Sequence, residues 1–321
     1  MNISIIGGDL RIVRLAEMYA KEGKQVYTYG LEKYFDKNTT NGENIDNDIF
    51  NMNETSDKTN DIVVCRDMEQ AINSSKIIIS GMPFSSDKVT VNAPFSRSEI
   101  GLDELKGRLS YSSKVFIAGG IPKEFENEKF ETIDLLKNEK LTILNAIPTV
   151  EGAIKIAIEE REETIHGSNV IVCGFGRIGK ILCRRFKALG ANVYCVARKD
   201  TDWAWIREEK YIPLRYDEIC KYGKKFDILI NTVPTTVINE KELSEFKKDI
   251  LLIELASKPG GIDQEAAKRY NLKTVVALGI PGKIMPKTAA KHIKEIVDEK
   301  IAWAQLKKVH KRKNKTVNNL L

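Results

Sequence analysis

Short aliphatic and β-branched runs alternate with longer stretches of helical periodicity along the chain, a grammar that predicts parallel sheets built from βαβ units. In the first half the runs predict strands over 2–6, 25–29, 76–80, 115–118 and 142–145. Between the first two, Ile12, Val13, Leu15, Ala16 and Tyr19 fall close to one face and predict a helix over 10–22. Residues 39–60, rich in Asn, Asp and Thr, read as a loop. Ile147-Pro148-Thr149 then reads as the opening of a helix running to about residue 163, with Thr149 as its cap and Glu151 in its positively polarised first turn. In the second half, strands are expected over 169–173, 192–196, 228–232, 251–255 and 274–277. A last helix over 287–307 carries Ile293, Ile296, Val297, Ile301 and Trp303.

The pattern predicts an α/β protein of two Rossmann-like, doubly wound parallel-sheet domains joined by a long helix. The first, 1–148, would lie on the substrate side and be completed by the C-terminal helix 288–307; the second, 149–287, would bind the nucleotide; 308–321 would be a basic, disordered tail. A chain of 321 residues accommodates two such domains.

Composition narrows the classes. With 42% hydrophobic and 30% charged residues the chain has the profile of a soluble globular protein. No apolar run approaches the ~20 residues of a membrane helix, and the start lacks the basic n-region of a signal peptide, so a cytoplasmic protein without membrane contact is expected. The net charge of +6 would suggest nucleic acid, but Lys307, Lys308, Lys311, Arg312, Lys313 and Lys315 account for all of it, which argues against a nucleic-acid surface on the folded domains. The five cysteines, Cys65, Cys173, Cys183, Cys195 and Cys220, show no metal-ligand spacing and read as small core residues, so no metal is expected.

Two glycine turns compete for a cofactor. Ile6-Gly7-Gly8-Asp9 lacks a third glycine and puts an acid where phosphates would sit. Gly174-Phe175-Gly176-Arg177-Ile178-Gly179 follows a predicted strand and opens a helix: Gly174 for the turn, Gly176 for close approach to a pyrophosphate, Gly179 for helix–strand packing, and the amides of Arg177 and Ile178 for the phosphate. The next strand ends Val196-Ala197-Arg198-Lys199, without the acid that bonds an NAD ribose, so NADP is the expected cofactor. Arg198 would clamp the 2′-phosphate with help from Lys199, or else pair with Asp200 or Asp202 on the surface. Asn231-Thr232-Val233-Pro234 and Ala256-Ser257 end later strands and are expected to flank the nicotinamide. With only His166, His292 and His310, and Lys258 where an arginine would be needed, the acid–base machinery of a D-2-hydroxy-acid dehydrogenase is missing.

Five ordered segments carry a more specific likeness: 145–153 (NAIPTVEGA), 164–168 (TIHGS), 174–179 (GFGRIG), 255–263 (LASKPGGID) and 279–289 (GIPGKIMPKTA), together with Ile6-Gly7-Gly8-Asp9 and Arg11. In these the chain resembles the A subunits of bacterial dipicolinate synthases. The resemblance implies oxidation of dihydrodipicolinate to dipicolinate with NADP, in the mother-cell cytoplasm during sporulation, by a hetero-oligomer with a smaller flavoprotein-like B subunit. Self-association of A subunits is also expected. Such a site needs positive potential for two carboxylates and a fixed stacking distance to the nicotinamide. Arg11, Ser85, Thr149 and Lys287 are the candidate substrate contacts, and Glu151 the candidate acceptor of the ring proton. Two alternatives remain open from the residues: an alanine- or amino-acid-type dehydrogenase, and a non-catalytic protein that senses nucleotides.

Overall fold

The computed structural model describes residues 1–36, 61–111 and 114–318, with side chains as far as Trp303, so the expected loop over 39–60 lies outside the described residues. The chain divides into two compact units, one of Met1–Thr142 with Pro286–Leu321 and the other of Ile143–Met285.

The first unit holds strands β1 (Ile3–Ile6), β2 (Val26–Tyr29), β3 (Ile62–Val64), β4 (Ile77–Ser80), β5 (Val115–Ala118) and β6 (Glu131–Asp134), with helices α1 (Leu10–Lys21), α2 (Glu32–Phe35), α3 (Met68–Ser74) and α4 (Leu102–Leu109). Helix α5 (Glu139–Glu159) carries the chain into the second unit. There follow β7 (Asn169–Cys173), α6 (Arg177–Ala188), β8 (Asn192–Val196), α7 (Asp200–Glu208), β9 (Ile212–Leu214), α8 (Ile219–Tyr222), β10 (Ile228–Asn231), α9 (Glu240–Ser244), β11 (Leu251–Glu254), α10 (Gln264–Arg269), β12 (Lys273–Val276) and α11 (Ile280–Lys283). The last helix, α12 (Pro286–Asn318), belongs to the first unit. The sheets have the same order, β3-β2-β1-β4-β5-β6 and β9-β8-β7-β10-β11-β12, and every pairing is parallel. Both are therefore doubly wound, with switch points between β1 and β4 and between β7 and β10, where such sheets bind ligands.

Burial follows the pattern that predicted the elements. The central strands β1, β4, β5, β10 and β11 are buried along their whole length, as strands covered on both faces must be. The sequence pattern passed over β3, β6 and β9, which are the edge strands except for β12. Polar Glu131 and Asp134 in β6 and Pro213 in β9 hide the periodicity, and a sheet edge is where proline is tolerated.

Three expectations are corrected. Residues 142–145 form helix, not a strand, and α5 runs through Pro148 from Glu139 to Glu159. Pro148 forfeits one backbone bond, yet both flanks are anchored: Leu141 in the first unit's core, Val150, Ala153 and Ala157 in the second's. Thr149 is thus no cap; its hydroxyl donates to the Asn145 carbonyl one turn back (2.9 Å), and Glu151 sits in mid-helix. Fusing the two segments also gives a 21-residue helix apolar enough by length and composition to cross a membrane, the one such helix among the described residues, although its buried face serves the cores just named. Finally, α12 continues to Asn318, so residues 308–318 are helical where a tail was expected; nothing after Pro286 in that stretch is Gly or Pro. Four of the five cysteines are buried and all are free thiols.

The close approach of α5 to α11 rests on Gly152, where an added Cβ would lie 2.2 Å from Ile280 Cγ2. Gly152→Ala should lower stability by about 1–2 kcal/mol despite the better helix propensity of alanine. A urea midpoint equal to or above the parent's would show that this approach is not under steric control.

Candidate nucleotide-binding site

The two glycine turns occupy equivalent places in the two sheets, and their surroundings decide between them. After β1, Gly8 N–H donates to the Asn92 carbonyl (2.7 Å), and a Cβ on Gly7 would meet Val91 Cγ1 at 2.7 Å and Ala93 Cβ at 3.0 Å. The segment 91–93 thus fills the crevice where a phosphate would lie. The helix end is occupied too: the Asp9 carboxylate accepts from Arg11 N–H (3.0 Å) and caps α1. Arg11, expected to face a substrate, is instead 5% exposed; its Nη2 lies 2.6 Å from the Asp9 carboxylate and also donates to the Met82 carbonyl. A buried arginine so paired holds the β1 and β4 turns together.

After β7 the geometry is the opposite. Gly174 takes φ +99°, and an added Cβ there would meet Thr232 Oγ1 at 2.5 Å, which places the turn against the end of β10. A Cβ on Gly179 would lie 2.0 Å from the Gly174 carbonyl, so only glycine lets α6 start this close to its strand. Phe175 is buried in the core, with Lys180 Nζ 5.4 Å above its ring. Gly176, the residue before α6, has no atom of the described residues within 4 Å of an added Cβ and brings no side-chain cap, and the first turn of α6 holds no acid. A helix N-terminus with a glycine approach and no acid in its own first turn has the features that favour an anion.

At the end of β8, Ala197 is buried and its carbonyl accepts from Trp203 Nε1 (3.1 Å), while Arg198 and Lys199 are exposed. Arg198 has no carboxylate partner among the described residues; Asp200 instead faces Arg215 (3.7 Å). Arg198 lies near Tyr216, whose hydroxyl is pushed up in pKa by burial and then by the Cys173 thiol, with the Arg198 charge opposing. The register Val196↔Leu214 brings Arg215 beside this end, its guanidinium 4.7 Å from the Trp203 ring centre. Sequence reasoning missed Arg215 because it missed β9; a basic residue directly after the Ile-Pro-Leu run was the available signal.

The turns expected to flank the nicotinamide divide into inward and outward residues. Asn231 is fully buried and spent on its surroundings: Nδ2 donates to the Val233 carbonyl (2.9 Å) and to Glu254 (2.7 Å), and Oδ1 accepts from Val233 N–H (3.1 Å). Thr232 donates its hydroxyl to the Cys173 carbonyl (2.8 Å). Both shape the turn through their side chains. Val233 is half-buried, Ala256 is buried, and Pro234 and Ser257 are exposed at the rim. Of the remaining candidates, Ser85 donates to Asp87 (3.0 Å) and accepts from Lys88 N–H (2.9 Å), Glu151 is exposed on α5, and Lys287 is exposed in the first turn of α12.

Comparison with known proteins agrees with this geometry. Residues 2–136 match the family described as the N-terminal domain of dipicolinate synthase A subunits. The dipicolinate synthase A chain of Bacillus subtilis (strain 168) is 31% identical over 309 residues, 95% of this chain and 97% of that protein. This chain belongs to the family of dipicolinate synthase A subunits. The crystal structure of the A chain from Bacillus subtilis superposes with a TM-score of 0.77 at 30% identity, over 96% of this chain and 97% of that one. The corresponding structure from Bacillus halodurans gives 0.75 at 27%, over 94% and 97%. Within this member of the dipicolinate synthase family, residues 150–268 also match the D-isomer specific 2-hydroxyacid dehydrogenase NAD binding domain. The second unit is therefore a dehydrogenase-type domain for a nicotinamide cofactor, and the family is one of oxidoreductases.

The two turns respond differently to the same substitution. Gly176→Ala meets open space and should change stability by less than about 0.5 kcal/mol while weakening nicotinamide-nucleotide binding about tenfold or more, because the methyl occupies the pyrophosphate approach. Gly7→Ala should do the reverse, costing stability at positive φ and leaving binding intact. Melting curves with and without nucleotide distinguish the two; binding lost at Gly7 and kept at Gly176 would reverse the assignment.

Proposed function

We propose that this chain oxidises dihydrodipicolinate to dipicolinate with NADP, in the cytoplasm of a spore-forming mother cell, together with further copies of itself and a flavoprotein-like B subunit. The observation that carries the cofactor choice is Arg198, exposed and without a carboxylate partner among the described residues, two positions beyond β8. The name borne by the relatives, the A chain of a dipicolinate synthase, supports the substrate and the existence of a second kind of chain.

The first-turn amides of α6 would hold the pyrophosphate, and Arg198 with Lys199 the 2′-phosphate. NADP, when bound, supplies the hydride acceptor. Loss of a hydride and a proton turns the dihydropyridine ring into an aromatic pyridine, so the demand on the protein is orientation more than strong acid–base catalysis. Lys287 and Ser85 would contact the substrate carboxylates, with Thr149 on α5 also facing the substrate. Glu151, an exposed carboxylate on α5, would accept the ring proton. Arg11, already paired with Asp9, would act on the substrate only through the turn it holds.

Arg198→Ala should raise the Kd for NADP by about 10- to 100-fold, the loss of a charge-assisted contact of about 1.5–3 kcal/mol, and leave the Kd for NAD nearly unchanged. Equal losses for both nucleotides would remove the NADP assignment. NADPH formation from dihydrodipicolinate generated in the cuvette, with and without the B subunit, tests the reaction; tight nucleotide binding with no turnover under either condition would favour a sensing protein.

A further inference from the structure

Glu254 is the last residue of β11, 2% exposed and directly paired in register with Asn231 at the end of β10. Its carboxylate collects four N–H donors. Oε1 accepts from Asn231 Nδ2 (2.7 Å) and Ala256 N–H (2.9 Å); Oε2 accepts from Gly261 N–H (2.7 Å) and Ile262 N–H (2.9 Å). It has no lysine or arginine partner among the described residues, so its charge is balanced by neutral donors alone, the arrangement in which a carboxylate gains strong bonds but cannot lose one cheaply.

These bonds reach both turns at once. Through Asn231, Glu254 fixes the N–H and carbonyl of Val233 in the turn after β10. Through its other contacts it folds the segment after β11 back on itself, so that Ser257, Lys258 and Pro259 project as an exposed tip. The space inside is full: a Cβ on Gly261 would lie 2.4 Å from Asn231 Nδ2, and one on Gly260 would lie 3.1 Å from Glu254 Oε2. The Gly261 carbonyl in turn accepts from Val237 and Ile238 N–H (both 2.9 Å), which ties the loop to the chain leading into α9.

We propose that Glu254 is a positioning residue that locks the β10 and β11 turns to each other and thereby sets the wall against which the nicotinamide half of the cofactor lies. The inference rests on the nucleotide reading given above, since it assigns the adenosine end to Arg198 and the opposite end of the sheet's crevice to these turns. It predicts that the two halves of the cofactor can be uncoupled by one buried residue that touches neither.

Glu254→Gln keeps the shape and replaces one acceptor oxygen by an amide that must face two N–H donors whichever way it turns. The probes are 2′,5′-ADP, which has the adenosine and 2′-phosphate but no nicotinamide, and NADPH, titrated on the full chain with nicotinamide fluorescence as a second signal. The variant should bind 2′,5′-ADP within about twofold of the parent and NADPH about tenfold more weakly, with a smaller emission change, as expected for loss of a buried hydrogen-bonding pattern. Unchanged NADPH affinity, or equal weakening of both ligands, would overturn the inference. A parent chain that binds neither ligand would instead overturn the nucleotide reading. Glu254→Asp, which keeps the charge but shortens the reach, provides the same ratio should the glutamine variant not fold; a parent-like ratio there would also overturn the proposal.

Discussion

A helix start must satisfy its first amides from outside the helix, and the whole chain is organised by how two such starts meet that demand. Before α1, Asp9 supplies the cap and Asn92 takes the preceding glycine's N–H. Before α6, glycine at the equivalent place supplies no side chain, and the surrounding backbone leaves the approach clear. One strand order, repeated, therefore yields a filled crevice in one unit and a turn without a side-chain cap in the other. The difference is made by Asp9, by the 91–93 segment packed against Gly7, and by glycine at the α6 cap, and owes nothing to the sheets themselves.

That asymmetry explains where the arginines stand. Arg11, beside the sealed turn, is buried and neutralised by Asp9. Arg198, beside the open one, is exposed and carries an uncompensated charge among the described residues. A cation buried without a partner would cost several kcal/mol, so an arginine near a crevice must be either paired inside or kept in water. Reading which of the two states an arginine occupies says more about its role than its presence in a motif.

The strands with unbroken aliphatic runs were legible in the sequence to within a residue or two, because burial on both faces leaves little freedom in residue type; β5, β7 and β8 match their expected limits. The glycine fingerprint was legible for a similar reason, since close approach at Gly174 and Gly179 admits nothing larger. What escaped depends on tertiary packing. Pro148 normally marks a helix start, and only the anchoring of Leu141 on one side and Val150 on the other carries α5 through it. The edge strands were hidden by their polar or proline-containing sequences, and with β9 went Arg215. Side-chain direction was the other blind spot: the polar side-chain atoms of Asn231 and Thr232, at the end of β10 and in the turn after it, bond to neighbouring protein groups.

For the reaction proposed above, driven by aromatisation, the inward turn of those groups would be no loss. A site that needs no elaborate proton relay can devote its polar side chains to fixing backbone, and backbone held by buried acceptors is stiffer than side chains reaching into a crevice. Asp9 with Arg11, Asn231 with Glu254, and Thr232 on the Cys173 carbonyl are all spent in this way. The surface this arrangement leaves for a ligand would be made of main-chain amides, apolar walls such as Val233, and a few solvated cations. Such a surface recognises phosphates, flat rings and carboxylates by position and charge. The same reading would account for the scarcity of histidine: of three in the chain, one is exposed on the loop before β7 and another is half-buried on α12 with its pKa pushed down by burial.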